Sequence, residues 1–240
     1  MASLHISISA EPIFYLGELG FTSSMLVSLL TTLFLLIIGY QFFRSQKKTS
    51  NLNLIIQALI ESLYEFAQTI TPHKAGKFLP IFATIFLFVM FASWAGLLPG
   101  VETIWVNNGQ KLVPLLRGGT ADLNITLGTA IVAVAMVQIF GVDSLGIKYF
   151  KKFINFSNPI NFFVGLLELI SEFAKIMSFS FRLFGNIFAG EVLLVVIAFL
   201  LPILGPLPFI GLELFVGFIQ ALVFATLTLV FVNIATSDSH

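Results

Sequence analysis

An all-α integral membrane protein, with five transmembrane helices and one interfacial amphipathic helix, is the fold this sequence predicts. Three observations predict it. First, 58% of the 240 residues are hydrophobic, 10% are charged, and mean hydropathy is +1.01. A soluble domain carries about 25% charged residues, so there is too little polar surface here to cover a water-soluble globule. Second, the uncharged runs 19–43, 78–101, 123–142 and 214–237 each reach the length a spanning helix needs, roughly 20 apolar residues. Third, Lys and Arg between those runs are distributed unevenly, as the positive-inside rule expects of a multi-pass chain. The length is that of one domain, 1–240, bounded by lipid rather than by water.

Residues 1–18 hold two acids and no Lys or Arg, so the basic start of a secretory signal is missing. The first apolar run, 19–43, is therefore expected to be a retained span, with 1–18 outside the membrane. Residues 51–71 read differently. Asn53, Gln57, Glu61, Glu65 and Gln68 recur at helical spacing, and Leu54, Ile55, Leu59, Leu63, Phe66 and Ile70 fill the other side. That amphipathic helix is expected to lie at a membrane interface. Spans are predicted at 78–99 and 122–142. Residues 158–201 follow as one long helix-compatible stretch. As a helix it would measure about 66 Å, at 1.5 Å per residue, against a hydrocarbon layer of about 30 Å. It must tilt strongly, bend or break. Pro202, Pro206 and Pro208 mark a turn, and the last span is predicted at 208–236.

Arg44, Lys47, Lys48, Lys74, Lys77, Lys148, Lys151 and Lys152 fall on one side of this topology, and Lys111 and Arg117 on the other. This bias predicts an outside N-terminus and a cytoplasmic C-terminus. Net charge is zero, which gives no sign of a nucleic-acid partner, and the absence of cysteine excludes a disulfide framework and a thiolate metal site. No phosphate-binding Gly-rich loop is present, so nucleotide binding is not expected of this chain. No cofactor or metal is expected either.

The residues that point to function are charges inside apolar segments: Glu168, Glu172, Lys175, Arg182, Glu191 and Glu213. Each costs at least about 2.5–3.5 kcal/mol near the bilayer centre, so each implies a partner, water or both. At 100° per residue, Glu168, Lys175 and Arg182 share one helical face, with Glu172 on its flank and Asn186 one turn beyond. Glu191 lies about 14 Å past Arg182 on the other side of a straight helix. In the last helix Glu213 and Gln220 are seven apart and share a face. Two adjacent helices thus carry a polar track interrupted by one permanent cation. Taken alone, Glu172 and Lys175 read as an ordinary snorkelling pair. Asn186 and Gln220 read equally as interhelical hydrogen-bond glue and as part of an ion path. A secondary transporter would show an inverted repeat with paired broken helices, and only one unusual segment is present here. A purely structural membrane subunit would not need the Arg–Glu track.

The stretch from Ser180 to Glu191, Ser-Phe-Arg-Leu-Phe-Gly-Asn-Ile-Phe-Ala-Gly-Glu, resembles the signature of subunit a, the stationary ion-channel subunit of F-type rotary ATP synthases. Gly217-Phe-Ile-Gln-Ala-Leu-Val-Phe-Ala-Thr-Leu-Thr-Leu229 is similar to that family's last helix. Gly96-Leu-Leu-Pro-Gly100 and Thr120-Ala-Asp-Leu-Asn-Ile-Thr126 resemble its segments around the third and fourth helices. The resemblance implies that Arg182 is the essential arginine, that Asn186, Glu191 and Gln220 line the ion path, and that Glu168 and Lys175 are weaker polar positions toward the cytoplasm. Glu213 stands where some members have His and others a carboxylate. The long helix and the last helix would form a hairpin against a ring of c subunits, and subunit b of the peripheral stalk and membrane lipid would be the other partners. The chain would supply two aqueous half-channels that couple proton flow to ring rotation and to ATP synthesis in a separate head. The bacterial plasma membrane is the expected location, with an organellar inner membrane as the alternative.

Overall fold

The computed structural model describes residues 12–16, 19–45, 51–98, 105–107, 112–114, 117–153, 158–202 and 204–237. Most of the predicted outside segment 1–18, together with Lys47, Lys48, Lys111, His5 and His240, lies outside them. The helices are α1 (Ser23–Ser45), α2 (Asn51–Ile70), α3 (Ala75–Ala95), α4 (Leu123–Leu145), α5 (Pro159–Leu200) and α6 (Pro206–Thr236). All but α2 are long and apolar enough to cross a membrane, giving five spanning helices and one more, an all-α membrane fold.

Two short hairpins were not foreseen. Strand β1 (Pro12–Leu16) pairs antiparallel with β2 (Leu19–Thr22), and β3 (Trp105–Asn107) pairs antiparallel with β4 (Leu112–Pro114). Residues Leu19–Thr22, which the sequence places at the head of the first span, are thus strand. The cause is local: the Met25 amide donates to Thr22 Oγ1 at 3.3 Å, the geometry of a helix N-cap, so α1 starts after Thr22.

Side-chain contacts sort the helix ends. Lys74 Nζ donates to the Thr236 carbonyl at 2.8 Å, and Lys77 pairs with Asp143 at 2.7 Å. The start of α3 and the ends of α4 and α6 therefore share one end of the bundle with α2. The other end holds the end of α3, the 3-10 turn Gly119–Ala121 that leads into α4, the last turns of α5 and the start of α6.

Helix α3 is the centre. Its Phe78, Phe82, Phe86 and Val89 are fully buried against Leu63 and Ala67 of α2, Ala130, Ala133, Val134 and Val137 of α4, and Phe224, Leu229 and Val232 of α6. Lipid tails are as apolar as these side chains, so close packing rather than the hydrophobic effect joins the helices. The alanines on α4 and α6 permit that closeness. Phe179 of α5 joins the core through Phe224, ring centroids 4.8 Å apart.

Helix α5 runs unbroken for 42 residues, about 63 Å, and so exceeds the hydrocarbon thickness twofold. Pro159 stands in its first turn and Pro202 follows it, both positions a helix tolerates. No proline interrupts it between, so of the three ways to fit the layer a break is not the one used. Pro206 and Pro208 fall in the first turn of α6, where a missing amide hydrogen costs nothing.

Candidate functional site: a polar track along the two longest helices

The charged residues of α5 and α6 divide into three places. At the α2 end of the bundle, Glu168 pairs with Lys152 of the 3-10 segment Gly146–Lys152. Glu172 pairs with Lys175 at 2.7 Å, and the Lys175 ammonium stands 4.7 Å from the centre of the Phe231 ring on α6. Both pairs are neutralised locally. Beside them the Tyr149 hydroxyl donates to Gln138 Oε1 at 2.6 Å.

Arg182 stands apart. It is exposed on the outward face of α5, and among the described residues its side chain has one hydrogen bond, to Ser178 Oγ one turn back at 3.4 Å. Among the described residues no carboxylate lies within ion-pair distance of it. Asn186, one turn on, is exposed on the same face, while Phe179, Leu183 and Ile187 behind them are buried. The shared face predicted for Lys175 and Arg182 therefore splits: Lys175 turns to α6, and Arg182 turns away from the bundle.

The third place is the end of the bundle opposite α2, where the Glu191–Arg117 pair and Glu213 lie against Gly118 and Gly190. Glu213 is 7% exposed, and its Oε1 has no hydrogen-bond partner among the described residues. Its carboxyl group rests on Gly190: a Cβ there would overlap all three carboxyl atoms. Glu191, the next residue of α5, pairs with Arg117 at 3.3 Å. Gln220 lies two turns along α6 from Glu213, 7% exposed, with Nε2 likewise unpartnered. Buried polar atoms of this kind are satisfied by water or carry a proton, since leaving them bare costs about 1–3 kcal/mol. This end of the bundle thus holds two acidic side chains near the Gly190–Glu191 step of α5, with an amide two turns along α6.

The wall of this cluster comes from segments the sequence marked only by resemblance. Thr120 Oγ1 donates to Ser93 Oγ at 3.3 Å, Thr126 and Ser180 hydroxyls meet at 3.2 Å, and the Trp94 indole donates to the Leu214 carbonyl at 2.9 Å. Gly96 and Gly118 touch backbone to backbone; a Cβ on Gly96 would stand 2.8 Å from Gly118 Cα. Sequence reasoning missed Arg117, which it counted only as an outer loop charge. The signal was the Gly118–Gly119 pair after it, which lets the loop backbone descend onto α5.

Of the residues singled out, the structure brings Glu191 and Glu213 into one cluster, with Gln220 further along the same helix. It places Arg182 and Asn186 together on the outer face, and it puts Glu168, Glu172 and Lys175 in local ion pairs. Among the described residues no three His, Asp or Glu converge as a metal site.

Comparison with known proteins agrees in extent with this whole track. The model of the family described as ATP synthase A chain matches residues 23–233. A relative from Gloeobacter violaceus described as ATP synthase subunit a is 36% identical over 209 residues, covering 85% of this chain and 80% of the relative. The family match runs from the first residue of α1 to three residues short of the end of α6, and includes every residue of the track.

Proposed function

Since the chain belongs to the ATP synthase A chain family, we propose that it is the stationary proton-channel subunit of an F-type ATP synthase, with Arg182 as the fixed charge between two half-channels. The observation that carries this reading is the placement of Arg182: an exposed cation on a spanning helix, without a carboxylate of its own chain in reach among the described residues. A charge so placed in lipid is costly unless a partner answers it. The partner is a membrane carboxyl carried by each subunit of the c-ring.

The mechanism follows from the chemistry of the groups. A guanidinium stays charged throughout the biological pH range and relays no proton. It attracts a passing carboxylate and favours its ionised form. In synthesis, a ring carboxyl nearing Arg182 releases its proton toward the cytoplasm past Glu168, and the emptied carboxylate passes the arginine. It is then reloaded from outside through Glu191, Glu213, Asn186 and Gln220. Arg182 also keeps protons from crossing directly between the two paths. The chain does no chemistry on ATP; it is the membrane subunit that turns proton flow into rotation, held by subunit b of the peripheral stalk. The charge bias puts the α2 end in the cytoplasm, and the membrane is the bacterial plasma membrane.

The test is ATP-driven proton uptake by membrane vesicles carrying the complex with Arg182→Ala, with assembly checked by co-purification of the ring. Uptake is expected to be abolished in an assembled complex. Full uptake would make Arg182 a structural cation and overturn the reading.

A further inference from the structure

We propose that Arg117 is a positioning residue that latches the Glu191 carboxylate at the outer mouth of the proton path, and that a proton arriving from outside opens this latch. The inference rests on the proposed proton path and adds to it a residue outside the membrane helices.

The geometry is that of a built contact between a loop and a spanning helix. Arg117 Nη2 stands 3.3 Å from Glu191 Oε2, with the two side chains only 13% and 23% exposed. The loop is held down from three sides. Its Gly118 lies against Gly96 at the end of α3, its Gly119 rests on Ser24 and Ser28 of α1, and its Thr120 is bonded to Ser93. So close is the backbone that a Cβ on Gly118 would lie 3.2 Å from Glu191 Oε1. An arginine at the lip of such a saddle has little freedom, so its charge-assisted bond fixes where the Glu191 carboxylate points.

The latch works because one partner titrates and the other does not. Arg117 stays charged. When a proton binds a Glu191 oxygen the carboxylate becomes neutral, its Coulomb attraction to the guanidinium is lost, and the side chain is released. The next carboxyl of the track is that of Glu213, which rests on Gly190, the preceding residue of α5. Once the proton has passed on, Glu191 is again a carboxylate and Arg117 recaptures it, ready for the next proton. Removing Arg117 leaves Glu191 ionisable but without this charge-assisted contact to hold its carboxylate.

The experiment is ATP-driven proton uptake by vesicles carrying the whole complex with Arg117→Ala, Arg117→Lys, Glu191→Gln, or Arg117→Ala with Glu191→Gln, each checked for a co-purifying ring. Arg117→Ala is expected to lower uptake about tenfold, the factor an ordinary charge-assisted hydrogen bond carries. Arg117→Lys should recover part of that loss. In the Glu191→Gln background, Arg117→Ala should cause no further fall, because the latch works through that carboxylate. Should the alanine variant lose its ring, Arg117→Gln, which keeps hydrogen-bonding capacity without the charge, takes its place. Losses that multiply, or wild-type uptake in Arg117→Ala beside a slow Glu191→Gln, would overturn the latch while leaving the proton path standing. Wild-type uptake in Glu191→Gln would remove the path itself, and the latch with it.

Discussion

Gly190 shows how finely the outer cluster depends on single atoms. Its missing side chain is the space the Glu213 carboxyl occupies. Gly190→Ala must push that carboxyl out of its seat, and overpacking a well-fitted site costs about 1–3 kcal/mol. The variant is expected to assemble with its ring and to slow ATP-driven proton uptake severalfold. An unchanged rate would show that the carboxyl works equally well elsewhere. At this scale the sequence was informative wherever a charge is expensive: Arg182, Glu191 and Glu213 stand out because lipid tolerates so few such residues. It was silent on Arg117, because a charge in an outer loop is ordinary. Nor does helical spacing say which neighbour a long side chain chooses. Lys175 and Arg182 share a face by angle, yet one reaches an adjacent helix and the other faces away from the bundle.

At the scale of elements, the segment Thr120–Thr126 acts as a junction. Asp122 is buried and accepts from the Asn124 amide at 2.9 Å, which caps α4, and it also accepts from the Thr22 hydroxyl at 3.5 Å just before α1. Asp122→Ala removes both contacts. A lost N-cap costs about 0.5–2 kcal/mol, so thermal unfolding of the purified complex should release this subunit at lower temperature. An unshifted transition would mean that packing alone holds the start of α4. The spanning helices and the amphipathic α2 were legible because each is a long periodic or uniform pattern. The hairpins were not: strands of three to five residues carry too little pattern to tell from a loop, and β2 hides inside an apolar run that reads as helix. The ion pairs at the α2 end were half legible. Glu172 and Lys175 are one turn apart, but the partner of Glu168 comes from the 3-10 segment, beyond any local spacing.

For the molecule as a whole, the length of α5 is the property most plainly written in the sequence, and its direction of exposure the one set by tertiary packing. Ser178, Arg182 and Ala189 look outward on one side, while Leu183 is fully buried. The chain has no cysteine, so single cysteines can be read cleanly. Ser178→Cys and Ala189→Cys, within about 40° of Arg182 around the helix, are expected to form disulfides with cysteines placed on the ring's outer helices, and Leu183→Cys is not. The reverse pattern would turn the ring-facing side of α5 around. The same exposed face has a consequence for motion. Beside it around the helix, Ile170, Phe173, Met177, Phe181 and Phe199 form an exposed apolar stripe with no hydrogen-bond donor in their side chains. A surface sliding over them trades contacts worth about 0.1–0.2 kcal/mol each, below thermal energy, with no directional bond to break. Apart from Arg182 and its two polar neighbours, this flank of the protein is a low-friction bearing, and its drag on a turning rotor is set by the viscosity of oily side chains rather than by adhesion.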